Sequence, residues 1–183
     1  WMKEGLSLRV AVNLSASHFQ HVLLLEQVSA CLEESQLPAE LLELEVTESC
    51  IMADVDGAIS TLRSLKELGV TLSVDDFGTG YSSLSYLKLF PLDKLKIDQS
   101  FVSDLTSSKN DAAIVRAIIA LGHAIGLTVI AEGVETQAQF AQLHALQCDE
   151  MQGYLYARPT EPERLPALLH HISELFHQNH PLH

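Results

Sequence analysis

The chain has 183 residues, is 47% hydrophobic and carries 11 basic against 24 acidic side chains, a formal charge of -13. That length and apolar content suit one domain with a buried core and exclude a disordered chain. The acidic balance excludes a sequence-blind nucleic-acid surface, which needs a basic footprint, and it repels a phosphate-bearing small molecule unless cations intervene.

Cys31, Cys50 and Cys148 are widely spaced and form no Cys-x-x-Cys pair. They suit a reducing compartment, and so a cytoplasmic placement, and argue against a disulfide framework or a zinc ribbon. No signal peptide is visible. The most apolar stretch, 112–131, is interrupted by Arg116, His123 and Gly126. It divides into a helix and a strand better than it makes a membrane span. The start at Trp1 reads as a piece of a longer protein.

The spacing predicts a strand over 9–14, then a helix with Leu24, Val28, Cys31 and Leu32 on one stripe, broken at Gln36-Leu37-Pro38. A strand over 42–47 follows. A helix over 54–68 turns Ile59, Leu62 and Leu65 inward and stops at Gly69. The next strand, 70–76, ends in two adjacent acids, Asp75 and Asp76, and runs into Gly78 and Gly80. Neighbouring strand side chains point to opposite faces, so both acids can reach one spot only where the strand is ending and bending. A short helix over 82–87 ends at Phe90-Pro91, and a fourth strand covers 94–98. A helix over 111–125 spaces Ile114, Ile118, Leu121 and Ile125 helically and ends at Gly126. A fifth strand covers 127–132. A helix over 136–146 opens with Thr136 and Gln139 at capping-box spacing. A sixth strand covers 151–156, and an amphipathic helix runs from Pro162 to about Phe176.

Alternating units of this kind imply an α/β fold, a parallel sheet with helices outside. Six units fit an open doubly wound sheet or part of an eight-unit barrel. The polar residues favour the barrel. Both faces of a helix-covered sheet are buried, so polar residues within its strands need a reason. Here Asn13, Glu45, Asp75, Lys96 with Asp98, Glu132 and Gln152 each close a strand on the face away from its main apolar set. In a (β/α)8 barrel this is the active-site rim. Carboxylates and an amide oxygen are hard donors that suit Mg²⁺ or Mn²⁺. Two such ions would offset the clustered charge, make a nucleophile from water and clamp a phosphate, with Asp75 the bridging ligand and Lys96 beside the water or the phosphate oxygens.

Six strand ends occur in order: Val-Asn-Leu-Ser (12–15), Glu-Val-Thr-Glu-Ser (45–49), Asp-Asp-Phe-Gly-Thr-Gly-Tyr-Ser-Ser (75–83), Lys-Ile-Asp (96–98), Ala-Glu-Gly-Val-Glu-Thr (131–136) and Gln-Gly-Tyr (152–154). Together, over essentially the whole chain, they resemble the EAL domain, the bacterial cyclic di-GMP phosphodiesterase. The resemblance implies a (β/α)8 TIM-like barrel with an antiparallel first strand, and hydrolysis of cyclic di-GMP to linear pGpG with Mg²⁺ or Mn²⁺ at a two-metal site. By motif position, Asn13, Glu45, Asp75, Asp76 and Glu132 would be metal ligands, and Lys96 would contact the catalytic water. Glu132 is also a candidate base. Asp98, Glu135 and Gln152 would support catalysis or touch substrate, with Gly78 and Tyr81 on the adjoining loop. Glu48 would hold the loop after Asp76, which in this family couples the metal site to dimerisation. A homodimer through that loop and the helix after it, and an upstream diguanylate cyclase-like or sensor domain, are the implied partners.

One departure is large. The glutamate of the Glu-Ala-Leu signature, a metal ligand in the family, belongs upstream of Asn13 and is not in this sequence. The expectation is therefore one domain over 1–183, about six of eight strand-helix units, lacking its first two strands. The parent protein would be active and this fragment weakly active or inactive. The alternative, supported by the absent glutamate, is a catalytically silent cyclic di-GMP-binding receptor.

Overall fold

Strands and helices alternate along the chain in the computed structural model, which describes residues 1–2, 5–80, 84–170 and 172. β1 (Val10–Leu14) leads to α1 (Ala16–Phe19) and α2 (Leu24–Ser35), and β2 (Leu42–Thr47) to α3 (Glu48–Ala53) and α4 (Val55–Glu67). β3 (Thr71–Phe77) leads to α5 (Leu84–Leu87), and β4 (Lys94–Ile97) to α6 (Gln99–Ser103) and α7 (Lys109–Ala124). β5 (Thr128–Ala131) leads to α8 (Gln137–Ala145), and β6 is Glu150–Met151. The six strands lie in sequence order and every neighbouring pair is parallel. This is the expected α/β architecture. The barrel is not closed: among the described residues β1 pairs only with β2 and β6 only with β5.

The apolar parity of each strand faces the helices. Leu44, Val46, Leu72, Val74, Leu95, Ile97 and Val129 are fully or almost fully buried there. α4 lays Ala58, Leu62 and Leu65 on them, starting from Asp54, whose carboxylate accepts a hydrogen bond from the Gly57 amide. α8 opens with the predicted capping box, Thr136 and Gln139 each bonding the other's backbone.

Several predicted details change. Cys31 is exposed, and Leu25 packs against the core beside Leu24 and Val28. On α7 the buried stripe is Val115, Ile118, Ile119 and Gly122, while Ile114 is 37% exposed. The sixth strand is two residues long, not six. After Met151 the chain leaves the sheet because Gly153 packs against the Val134 backbone. A Cβ there would lie 2.2 Å from the Val134 carbonyl oxygen, and the Leu155 amide donates to that same oxygen at 2.9 Å, tying the segment after β6 to the one after β5. Residues 82 and 83 of the predicted helix over 82–87, and 171 and 173–176 of the last one, lie outside the described residues, as do His177, His180 and His183. Among the described residues no helix is long and apolar enough to cross a membrane.

Candidate active site

The polar parity of the strands converges on Lys96. Its ammonium donates to Glu45 Oε2 and Glu132 Oε1, each at 2.6 Å, and pairs with Asp75 Oδ1 at 3.2 Å. The Asn13 amide nitrogen, in the orientation the surrounding acceptors require, donates to Glu45 Oε2 and Asp75 Oδ2, both at 3.2 Å. Residues from β1, β2, β3 and β4 and the end of β5 thus meet at one point. The register explains why. Asn13 lies beside Glu45, Thr47 beside Asp75 and Lys96 beside Ile130, so these side chains share the inner face at the carboxyl ends of the strands.

Asp76 reaches the site by a backbone distortion. The β3–β4 register shifts between Val74 and Phe77, and Asp76 takes a left-handed φ of +54°. The bend expected at Gly78 and Gly80 begins at Asp76 itself and continues through Gly78, φ +99°. A Cβ on Gly78 would stand 3.0 Å from the Phe101 ring, so the loop lies tight against α6. The Asp76 carboxyl faces Asp98, which caps α6 by accepting from the Ser100 amide at 2.9 Å and from the Ser100 hydroxyl.

Glu48, buried at the start of α3, accepts from the Gly78 amide at 3.0 Å. Its other oxygen, Oε1, is buried without a partner among the described residues, 2.7 Å from where a Cβ on Gly80 would lie. Glu48 thus ties the Gly78 backbone to the start of α3. The other predicted contacts are not gathered in. Glu135 and Gln152 are exposed, with the Gln152 backbone bonded to Ala131 and Val134. Phe77 is buried in the core, and Tyr81 lies outside the described residues. Sequence reasoning passed over Lys94, two residues before Lys96 on the same face and equally buried. The strand parity was the signal available.

Charge is unbalanced at this point. Glu45, Asp75 and Glu132 pair with the Lys96 ammonium, Asp76 lies near it, and Asp98 faces Asp76, so among the described residues five carboxyls gather around one ammonium or its neighbours. Burial, then the Asp75 and Asp98 carboxylates, push the Asp76 carboxyl up from its ordinary value. Burial also pushes the Glu132 carboxyl up, against the pull of Lys96. Burial alone would favour a neutral Lys96, but its hydrogen bonds to Glu132 and Glu45 outweigh that and hold the ammonium form. Among the described residues no three acids, cysteines or histidines are already spaced as a ligand set, because Lys96 stands between the carboxylates. The donor chemistry fits a hard divalent cation. It offers carboxylate and amide oxygens with surplus negative charge and no thiolate or imidazole among them.

A family model described as the EAL domain matches residues 1–159. The chain is 50% identical to the bifunctional diguanylate cyclase/cyclic di-GMP phosphodiesterase MucR of Pseudomonas aeruginosa, over 86% of this chain and 23% of MucR. It superposes on the PaMucR phosphodiesterase in complex with c-di-GMP with a TM-score of 0.88 and 47% identity, covering 90% of this chain and 67% of that one. It also superposes on a manganese and cyclic di-GMP complex of Klebsiella pneumoniae BlrP1, with a TM-score of 0.76, 34% identity, and coverage of 82% and 39%. The chain spans about a fifth of the length of the curated relatives it matches. The matched span contains the strand ends that surround Lys96, and the chain belongs to the EAL domain family.

Proposed function

We propose that the chain is a phosphodiesterase module that hydrolyses cyclic di-GMP to linear pGpG with Mg²⁺ or Mn²⁺. The observation that carries this reading is the convergence of Asn13, Glu45, Asp75 and Glu132 on Lys96, with Asp76 brought alongside by its left-handed backbone. Asn13, Glu45, Asp75, Asp76 and Glu132 would hold the ions. When bound, such ions activate water and neutralise charge on the phosphate. Lys96 orients the attacking water and faces the phosphate oxygens. Glu132 accepts the water proton. The water oxygen bonds to phosphorus, one P–O ester bond breaks, and a proton ends on the released ribose oxygen. Asp98 restrains Asp76. Glu48 fixes the loop that carries Gly78 and Tyr81, and Gln152 and Glu135 stand on the neighbouring turns for contact with the nucleotide.

The acidic surface and three free thiols support a cytoplasmic setting. Exposed Tyr86 and Leu89, on and just after α5, support a homodimer through that segment. The name of MucR supports an upstream cyclase as partner domain.

The test is conversion of cyclic di-GMP to pGpG, followed by chromatography, in the longest natural protein that carries this chain. Turnover is expected with Mn²⁺ or Mg²⁺, none with chelator, and a loss of at least ~100-fold in Asp75→Asn and Lys96→Met. Binding without cleavage in the unmodified protein would reassign it as a receptor.

A further inference from the structure

A second ionic layer lies beneath the candidate site on the same inner face. Lys94 pairs with Glu150 Oε2 at 2.8 Å and with Glu43 Oε2 at 3.1 Å, and Arg9 approaches Glu43 at 3.9 Å. Glu43, Lys94 and Glu150 come from β2, β4 and β6, the alternate strands that build one layer of a barrel interior. The side chains of Lys94 and Glu43 are 7% and 4% exposed. This layer balances its own charge, whereas the layer above is in carboxylate excess.

The two layers stand two residues apart on both β2 and β4, roughly 7 Å. Either lysine has a stem long enough to reach up or down over that span. Glu43 is thus a further carboxylate, beside Glu45, Asp75 and Glu132, within the reach of a lysine stem from Lys96. Between the layers sits Ser73, in register with Glu45 on one side and Lys94 on the other. Its hydroxyl is fully buried and has no partner among the described residues. Neither ammonium bonds it: Lys94 turns to Glu43 and Glu150 in the lower layer, and Lys96 to Glu45, Asp75 and Glu132 in the upper one. We propose that Lys94 is a positioning residue: by saturating Glu43 it denies Lys96 that carboxylate and keeps the Lys96 ammonium at the rim among Glu45, Asp75 and Glu132.

The test uses the chain without metal or substrate, so its outcome is independent of the phosphodiesterase reading. The Lys96 ammonium resonance is followed by NMR in lysine-¹⁵N-labelled protein, with proton exchange as the readout. In Lys94→Met, exchange at Lys96 should quicken by at least about tenfold, the scale of one lost charge-assisted hydrogen bond. Adding Glu43→Gln to that variant removes the competing carboxylate and should return the signal to its original position and rate. Lys94→Arg should leave both unchanged. The proposal is overturned if Lys94→Met leaves Lys96 unaltered, or if the double variant is no nearer the original than the single one. Should Lys94→Met not fold, Glu43→Gln alone decides. It must leave Lys96 unchanged, and a shifted signal would show that the layer acts only as a tie between strands.

Discussion

Cys148 is 9% exposed, and its thiol is pushed up to about 12, by burial first and then by the adjacent Asp149. Burial also raises Cys50, whereas Cys31 is exposed on α2. Thiolate is the reactive form, so an alkylating reagent at pH 8 should label Cys31 and spare the other two until the chain unfolds. Mass spectrometry of the labelled protein checks this, and early labelling of Cys148 would contradict the burial. The same shift predicts a pH dependence. The unfolded chain releases the Cys148 proton near the ordinary thiol value of 9.0, while the folded chain keeps it to about 12. The folded state therefore binds the extra proton in that window. Its contribution is complete below pH 9 and is lost as pH rises toward 12, so urea midpoints should fall between pH 9 and 11, and by less in Cys148→Ala. Residue identities carried most of the candidate site. Asn13, Glu45, Asp75, Lys96 and Glu132 follow from strand parity alone, because a two-residue period leaves little freedom. Asp76 does not, since its approach depends on a bulge and a positive φ that no period encodes.

At the scale of elements, α7 and β5 meet at Gly122. A glycine inside a helix costs about 1 kcal/mol relative to alanine. Here a Cβ would lie 2.4 Å from a γ-methyl of fully buried Val129, whose branched side chain has few rotamers to retreat to. Overpacking of that kind costs about 1–3 kcal/mol, which exceeds the gain in helix propensity. Gly122→Ala should therefore lower stability by about 1 kcal/mol, measured by urea unfolding, and a rise in stability would show that α7 can shift outward freely. This contact also explains why the predicted stripe on α7 holds only in part. Ile118 is buried and Leu121 and Ile125 pack against the core, but the face that docks is turned toward Val115, Ile119 and Gly122, which leaves Ile114 exposed. Long helices and strands were legible because their periods run for several turns or pairs. α3 and α6, which carry Glu48 and lie against Gly78, are too short to show a period, and they begin directly at strand ends where the sequence reads as loop. The last strand failed for a different reason: Gln-Gly-Tyr looks extended, but the Val134 backbone occupies the space that a continuing strand needs.

For the whole molecule the open question is what the sheet does at its first edge. β1 is exposed along Val10, Ala11, Val12 and Asn13, and its outward backbone groups have no strand beside them among the described residues. Val10 is 36% and Val12 41% exposed, an apolar edge without the lysine or proline that blunts such edges. A few added strand hydrogen bonds, each worth about 1 kcal/mol net, would give weak self-association, in roughly the millimolar range. The chain should therefore gain apparent mass as its concentration rises, followed by static light scattering. Val12→Lys puts a charge on that edge and should hold the chain at its low-concentration mass, with stability little changed because the position is already exposed. A dimer formed through the segment after Asp76 responds differently. It should survive Val12→Lys and be lost in a Tyr86→Lys and Leu89→Lys double variant, since among the described residues those are the exposed apolar side chains there. If the double variant alone abolishes association, the β1 edge is not self-adhesive and the α5 segment is the contact between copies. If Val12→Lys alone abolishes it, copies associate through the open sheet.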